Sequence, residues 1–325
     1  MVDSTTQSSR SEDSPKPSTL AYPDPTIIPP TTAHTHTIII LHGRGSNGAF
    51  FAEPFLSSQT SSGRTLRQHF PGVKWIFPTA KKRRAAAFNR ATINQWFDLW
   101  DLHDQENRKE LQYEGIRETT AFLHHLITEE ARLVGLNNVV LGGLSQGCAM
   151  MLHAALSYQH DPHSSGGKGV SFGGFFGMSG WLPFADDILN VSIAAGQEED
   201  GDDDFFDFED GDTDNNSDST SAAQLRAANL IRDIADLPVL GSDLTTTTLP
   251  FVTIPILLGH ATDDEKVPIQ LGEQARDVLM EIGLDVTWRS YDFGHWYKVP
   301  DQIDDIVDFL REKVGLVNVE DAEKI

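Results

Sequence analysis

The chain has a single cysteine, Cys148, in 325 residues. That excludes an intramolecular disulfide, and a lone thiol fits a reducing compartment. It has no apolar run near the roughly 20 residues that cross a bilayer. The first 30 residues are rich in Ser, Thr, Pro and Asp. They lack the apolar core of a signal peptide and the Arg-rich pattern of a transit peptide, and read as a disordered lead over 1–30. Basic residues are scarce: 25 Lys and Arg stand against 48 Asp and Glu, for a net charge of -23. That balance argues against nucleic acid as a partner. Gly43, Gly45 and Gly48 lack the Lys-Ser/Thr of a phosphate loop. His34, His36, His124, His125, His160 and His163 show no metal-ligand spacing, so neither metal nor cofactor is expected.

Much of the acidity is local. Twelve acids and no Lys or Arg fall between Glu198 and Asp218. The segment from about Gln197 to Ala222 is too charged to pack and is expected to be a disordered insertion in one domain spanning 31–325. Phe205, Phe206 and Phe208 inside it could dock a partner, but a solvated linker is the plainer reading. Lys81-Lys82-Arg83-Arg84 is expected to be a solvated basic loop, with anionic lipid or the acidic insertion as alternative counterparts.

From Thr35 onward strand-like and helix-like segments alternate. Thr37–Leu41, Val73–Pro78, Asn138–Gly142, Ser171–Met178, Ile254–Leu258 and Asp285–Tyr291 read as strands. Glu114–Ala131, Cys148–Leu156, Leu271–Ile282 and Gln302–Val314 carry helical spacing, with Gly135 as a stop for the first. The alternation predicts an α/β fold: a mainly parallel sheet with helices on both faces.

Gly143-Leu144-Ser145-Gln146-Gly147 lies between a strand-like and a helix-like run. That is the sequence form of a nucleophile elbow, whose tight turn leaves no room for a Cβ at the flanking glycines. A serine hydroxyl is a weak nucleophile at neutral pH, so a histidine must take its proton and an acid must orient that histidine. In elbow hydrolases both follow the serine. Asp263 and Asp264 lie on the loop after Ile254–Leu258, and His295 lies after the last strand, beside Gly294. The oxyanion needs donors. The N–H of Gln146 is one, and the loop Leu41–Gly48 is placed to supply another. His42 is expected to brace that loop rather than ionise.

Together these residues resemble the acyl-protein thioesterase and phospholipase/carboxylesterase group of small α/β-hydrolases. The likeness runs from about Thr37 to Leu310, apart from the acidic insertion. It rests on Leu41-His42-Gly43-Arg44-Gly45, Trp96-Phe97-Asp98, Leu141–Gly147, Ser179-Gly180-Trp181-Leu182-Pro183, Gly259-His260 through Val267-Pro268, and Gly294-His295. The resemblance implies an α/β-hydrolase fold without a large cap domain. It selects Asp264 as the acid, three residues before Val-Pro, and the Arg44 N–H as the second oxyanion donor. Trp96, Phe97, Trp181 and Leu182 are expected either to line an acyl slot or to pack the core. Glu265-Lys266 departs from the family pattern, where a proline often follows the acid.

The implied function is hydrolysis of acyl thioesters or carboxylic esters through an acyl-enzyme on Ser145. The implied substrates are an acylated protein, as in depalmitoylation, or a small acyl ester or lysophospholipid. Transient contact with a membrane surface, no nucleic-acid partner, and a cytoplasmic location, with the nucleus also open, complete the expectation. The alternative is a non-catalytic ligand-binding protein on the same scaffold.

Overall fold

Seven β-rich segments join in one sheet, as the alternation requires. The computed structural model describes residues 22–160, 171–193, 215–241 and 249–317. The strands are β1 (Thr26–Ile28), β2 (His36–Leu41), β3 (Val73–Phe77), β4 (Lys82–Ala85), β5 (Ala91–Asn94), β6 (Val139–Leu144), β7 (Gly174–Met178), β8 (Ile256–Ala261) and β9 (Val286–Tyr291). The sheet order is β1-β3-β2-β6-β7-β8-β9, with β1 antiparallel to β3 and every other pair parallel. Strands β4 and β5 form a separate antiparallel hairpin. The helices are α1 (Gly48–Ser57), α2 (Leu66–His69), α3 (Leu111–Val134), α4 (Gln146–Ser157), α5 (Ala185–Ile193), α6 (Asn215–Ile234), α7 (Ile269–Glu281) and α8 (Asp301–Glu312).

The central strands β6, β7 and β8 are buried along their whole length, as a sheet covered on both faces demands. The alternation within β2 sorts its side chains between two cores. Ile39 and Leu41 join one with residues of α3 to α7, and Ile38 and Ile40 join the other with residues of α1, α2 and α8. Gly135 ends α3 at φ 85°, the left-handed conformation a glycine adopts without a Cβ penalty.

Three expectations are corrected. The lead expected over 1–30 ends earlier. Residues 1–21 lie outside the described part, but Tyr22 stacks on Phe122 with ring centroids 4.0 Å apart, and Thr26–Ile28 adds an edge strand. Three residues between prolines give too short a run to read as a strand, and an edge tolerates flanking prolines. The insertion expected over 197–222 overreaches. Residues 194–214, with Phe205, Phe206, Phe208 and most of the acids, lie outside the described part, whereas α6 begins at Asn215. From Arg226 two guanidinium bonds reach the Val191 and Ser192 carbonyls at the end of α5, and Arg232 donates to the Ser157 carbonyl ending α4, 2.7 Å away. These cations satisfy helix C-terminal carbonyls, which local composition does not announce. Finally, Lys82–Ala85 is a strand. Lys81 and Arg83 turn inward to Glu118, at 3.3 and 2.6 Å, while Lys82 and Arg84 face outward.

Candidate active site

The C-terminal ends of β6, β8 and β9 carry the three residues that the sequence nominates. Ser145 follows β6 directly and starts α4 with φ 56° and ψ -124°. A non-glycine residue held at positive φ stores about 1–3 kcal/mol of strain, and such strain concentrates where function over-determines the backbone. The elbow is held open by its glycines. A Cβ on Gly143 would sit 2.3 Å from the Gly147 carbonyl carbon, and one on Gly147 would sit 2.3 Å from the Leu41 carbonyl oxygen. Only hydrogen at both positions lets α4 start this close to β2.

Ser145 Oγ lies 2.9 Å from His295 Nε2, and His295 Nδ1 lies 2.7 and 3.0 Å from the two oxygens of Asp264. Between two carboxylate oxygens, Nδ1 must carry the proton. Nε2 is then the acceptor and the Ser145 hydroxyl the donor. Asp264 Oδ1 also accepts the Lys266 and Val267 N–H groups, each at 2.9 Å. Burial alone would favour the protonated acid. Contacts with His260 and His295, the Val267 N–H and the attraction of His295 once it is protonated outweigh it and hold the carboxyl well below the usual carboxylate range. Asp263 is placed otherwise: it accepts the Gly294 N–H at 2.7 Å and is exposed.

The loop after β2 reaches the serine as expected. A Cβ on Gly43 would touch Ser145 Cβ at 3.4 Å. No acceptor among the described residues takes the Arg44 or Gln146 N–H. His42 is fully buried, with Nδ1 2.7 Å from the Gly43 carbonyl and Nε2 accepting the Ala80 N–H at 3.0 Å. Burial pushes its pKa down to about 4, so it is neutral at physiological pH and braces the loop. Cys148 is also buried, which pushes its thiol up to about 12 and leaves it unreactive.

Of the two readings of these aromatics, acyl slot or core, the structure displays core packing. Trp96 and Phe97 are wholly buried, and Trp181 and Leu182 are 2% and 1% exposed, all within one core cluster. Phe97 packs edge-on against Trp181 at 6.1 Å. Trp181 does border a cavity shared with Cys148, Leu258 and Trp288, but at ≈ 10 Å³ it has room for about one water and not an acyl chain. Aromatics of an α/β core and aromatics of a slot have the same composition. Among the described residues no group of three or more His, Cys, Asp or Glu could hold a metal ion.

Sequence reasoning missed the supports of this site: the side chain of Gln146, Gln95, Asn94 and His260. Gln146 Oε1 accepts the Trp96 N–H and its Nε2 donates to the Phe97 carbonyl, across 50 residues of chain. Buried His260 lies 2.9 Å from the Val267 carbonyl and 3.4 Å from Asp264 Oδ2. The run Gly259-His260 marked that strand end, but nothing in its spacing tells of its neighbours.

A parallel sheet ending in an elbow, with acid and histidine on later strand ends, defines an α/β-hydrolase. The chain belongs to the phospholipase/carboxylesterase family, whose pattern matches residues 22–198. It is 32% identical over 160 residues to acyl-protein thioesterase 1 of Schizosaccharomyces pombe, covering 49% of this chain and 62% of that protein. It is 26% identical over 295 residues to acyl-protein thioesterase 1 of Gibberella zeae, covering 89% and 95%. Its fold superposes on the crystal structure of Zea mays acyl-protein thioesterase 2 with a TM-score of 0.58 and 22% identity, over 90% of this chain and all of that one.

Proposed function

We propose that the chain is a serine hydrolase that cleaves acyl thioesters or carboxylic esters through an acyl-enzyme on Ser145. The observation that carries the reading is the unbroken chain Ser145 Oγ–His295 Nε2, His295 Nδ1–Asp264, on a strained strand-to-helix turn. His295 takes the Ser145 proton as Oγ attacks the acyl carbon. Asp264 stabilises the imidazolium without itself taking the proton. The N–H groups of Gln146 and Arg44 receive the oxyanion. His295 then gives its proton to the departing thiol or alcohol, and water repeats the sequence to release the acid. The relatives named acyl-protein thioesterase support an S-acylated protein as the preferred substrate, with small esters and lysophospholipids as substrates of the same chemistry.

Such a substrate is met at a membrane surface. Lys82, Arg84 and Arg90 are exposed on the β4–β5 hairpin, and Phe88 at its turn is half exposed, a combination suited to brief contact with anionic head groups. The single buried thiol fits the cytoplasm as the compartment. A fluorophosphonate probe tests the nucleophile. Wild-type protein should label and the Ser145→Ala variant should not; labelling that survives the substitution rules the assignment out. Matched S-acyl and O-acyl substrates of increasing chain length then rank the substrate classes.

A further inference from the structure

The two backbone groups proposed to receive the oxyanion come from residues about a hundred positions apart, yet both residues are tied to the same short stretch of chain. Arg44 Nε donates to Gln95 Oε1 at 2.9 Å and its terminal nitrogen to the Leu99 carbonyl at 3.2 Å. Gln146 Oε1 accepts the Trp96 N–H at 3.0 Å and Nε2 donates to the Phe97 carbonyl at 2.8 Å. Neighbours of Arg44 are tied there too. The Gly45 N–H donates to the Asn94 carbonyl at 2.7 Å, Asn94 Nδ2 to the Ser46 carbonyl at 2.8 Å, and the Trp96 indole N–H to the His42 carbonyl at 2.8 Å.

The stretch is itself immobilised from behind. Thr119 Oγ1 of α3 donates to the Trp96 carbonyl at 2.8 Å, and a Cβ on Gly115 would sit 2.4 Å from Phe97 Cα, so α3 presses directly on the backbone. Asp98 accepts the Ala86 and Leu99 N–H groups and the Gln95 amide, which closes the stretch on the hairpin. From Trp96 to Leu99 the chain belongs to no sheet, and side chains satisfy the polar backbone groups named here. The side chains that do so on the active-site flank belong to Arg44 and Gln146.

We infer that residues 94–99 form the jig that sets the spacing of the oxyanion hole, with the side chains of Arg44, Gln146 and Gln95 as positioning groups. The inference rests on the serine-hydrolase reading and gives the Trp96-Phe97-Asp98 motif a role other than lining an acyl slot. Oxyanion donors act by preorganisation, so loosening their tethers penalises the tetrahedral state far more than the bound substrate.

Arg44→Met and Gln146→Met keep both N–H groups and remove the tethers, Arg44→Met also losing the ion pair with Asp98 at 3.8 Å and the guanidinium stack on Phe88. Each is assayed on a butanoyl thioester, and its affinity for butaneboronic acid, which places a tetrahedral oxygen in the hole, is measured alongside. In each variant kcat should fall about tenfold or more with KM within about twofold, and boronate affinity should fall by a similar factor. A merely structural role would lower the melting temperature without moving boronate affinity relative to KM. If Gln146→Met does not fold, Arg44→Met decides, because that guanidinium is partly exposed. A kcat within twofold of wild type in the folded variants, or a loss confined to KM, overturns the inference. Wild-type protein that neither labels with fluorophosphonate nor turns over the thioester instead refutes the active-site reading on which it rests.

Discussion

Asp263 and Asp264 are chemically identical neighbours that the fold separates by environment. Asp264 points inward, its side chain without exposed surface, and meets His295; Asp263 points outward and holds the Gly294 N–H. Replacing Asp264 with Asn removes the charge that fixes the His295 tautomer and should lower kcat by about a thousandfold or more. The amide oxygen of Asp263→Asn can still accept the Gly294 N–H, so that variant should stay within about tenfold of wild type. A reversed order in measured kcat would reassign the acid. The adjacent letters alone do not distinguish the pair. The distinction comes from which side of a loop faces the sheet, and only the family pattern anticipated it.

At the scale of elements, those read correctly carry a strong local signal. Runs of Ile and Val gave β2 and β6, and a glycine stop gave the end of α3. Those missed have local composition at odds with their place. Helix α6 opens with Asn, Ser, Asp and Thr, which favour caps and turns, and gains its support from Arg226 and Arg232 bonds to the ends of α5 and α4. The elbow shows how a short motif becomes an element boundary. Gly147→Ala places a Cβ 2.3 Å from the Leu41 and 2.7 Å from the His42 carbonyl oxygens, backbone atoms that yield only if α4 leaves β2. Differential scanning calorimetry should show Tm falling by about 5–10 °C, or no folded protein at all. Gly63→Ala is the contrast. Its φ of 78° strains an alanine, but no atom lies within 4 Å, so the loss should be about 1 kcal/mol and a few degrees. Equal losses at the two sites would mean that the close approach is not what Gly147 serves.

The molecule as a whole is acidic, yet three histidines, His42 and His153 buried and His124 partly buried, govern part of its response to acid. His42, His124 and His153 are each pushed down to about 4, with burial as the leading cause. Each binds its proton less readily folded than unfolded, where the value is near 6.5. Their contribution is therefore whole above about pH 6.5 and drains away as pH falls toward 4, by up to about 1.4 kcal/mol per pH unit for each group. Urea midpoints taken between pH 7 and 4.5 should fall steeply, and the slope should be shallower in His153→Leu. A flat midpoint across that window would show that these rings are not held neutral.

The sequence by itself determined the strand–helix alternation, the parallel sheet, the elbow and the chain order of Ser145, the acid loop and His295. Periodicity and turn chemistry are local properties, written in neighbouring residues. Tertiary structure decided which aspartate meets His295, that Trp96, Phe97, Trp181 and Leu182 pack the core, and that the residues beside the serine are tied to 94–99. Those outcomes depend on distances between residues about 30 to 85 positions apart, and such distances exist only once the sheet has closed around its two cores.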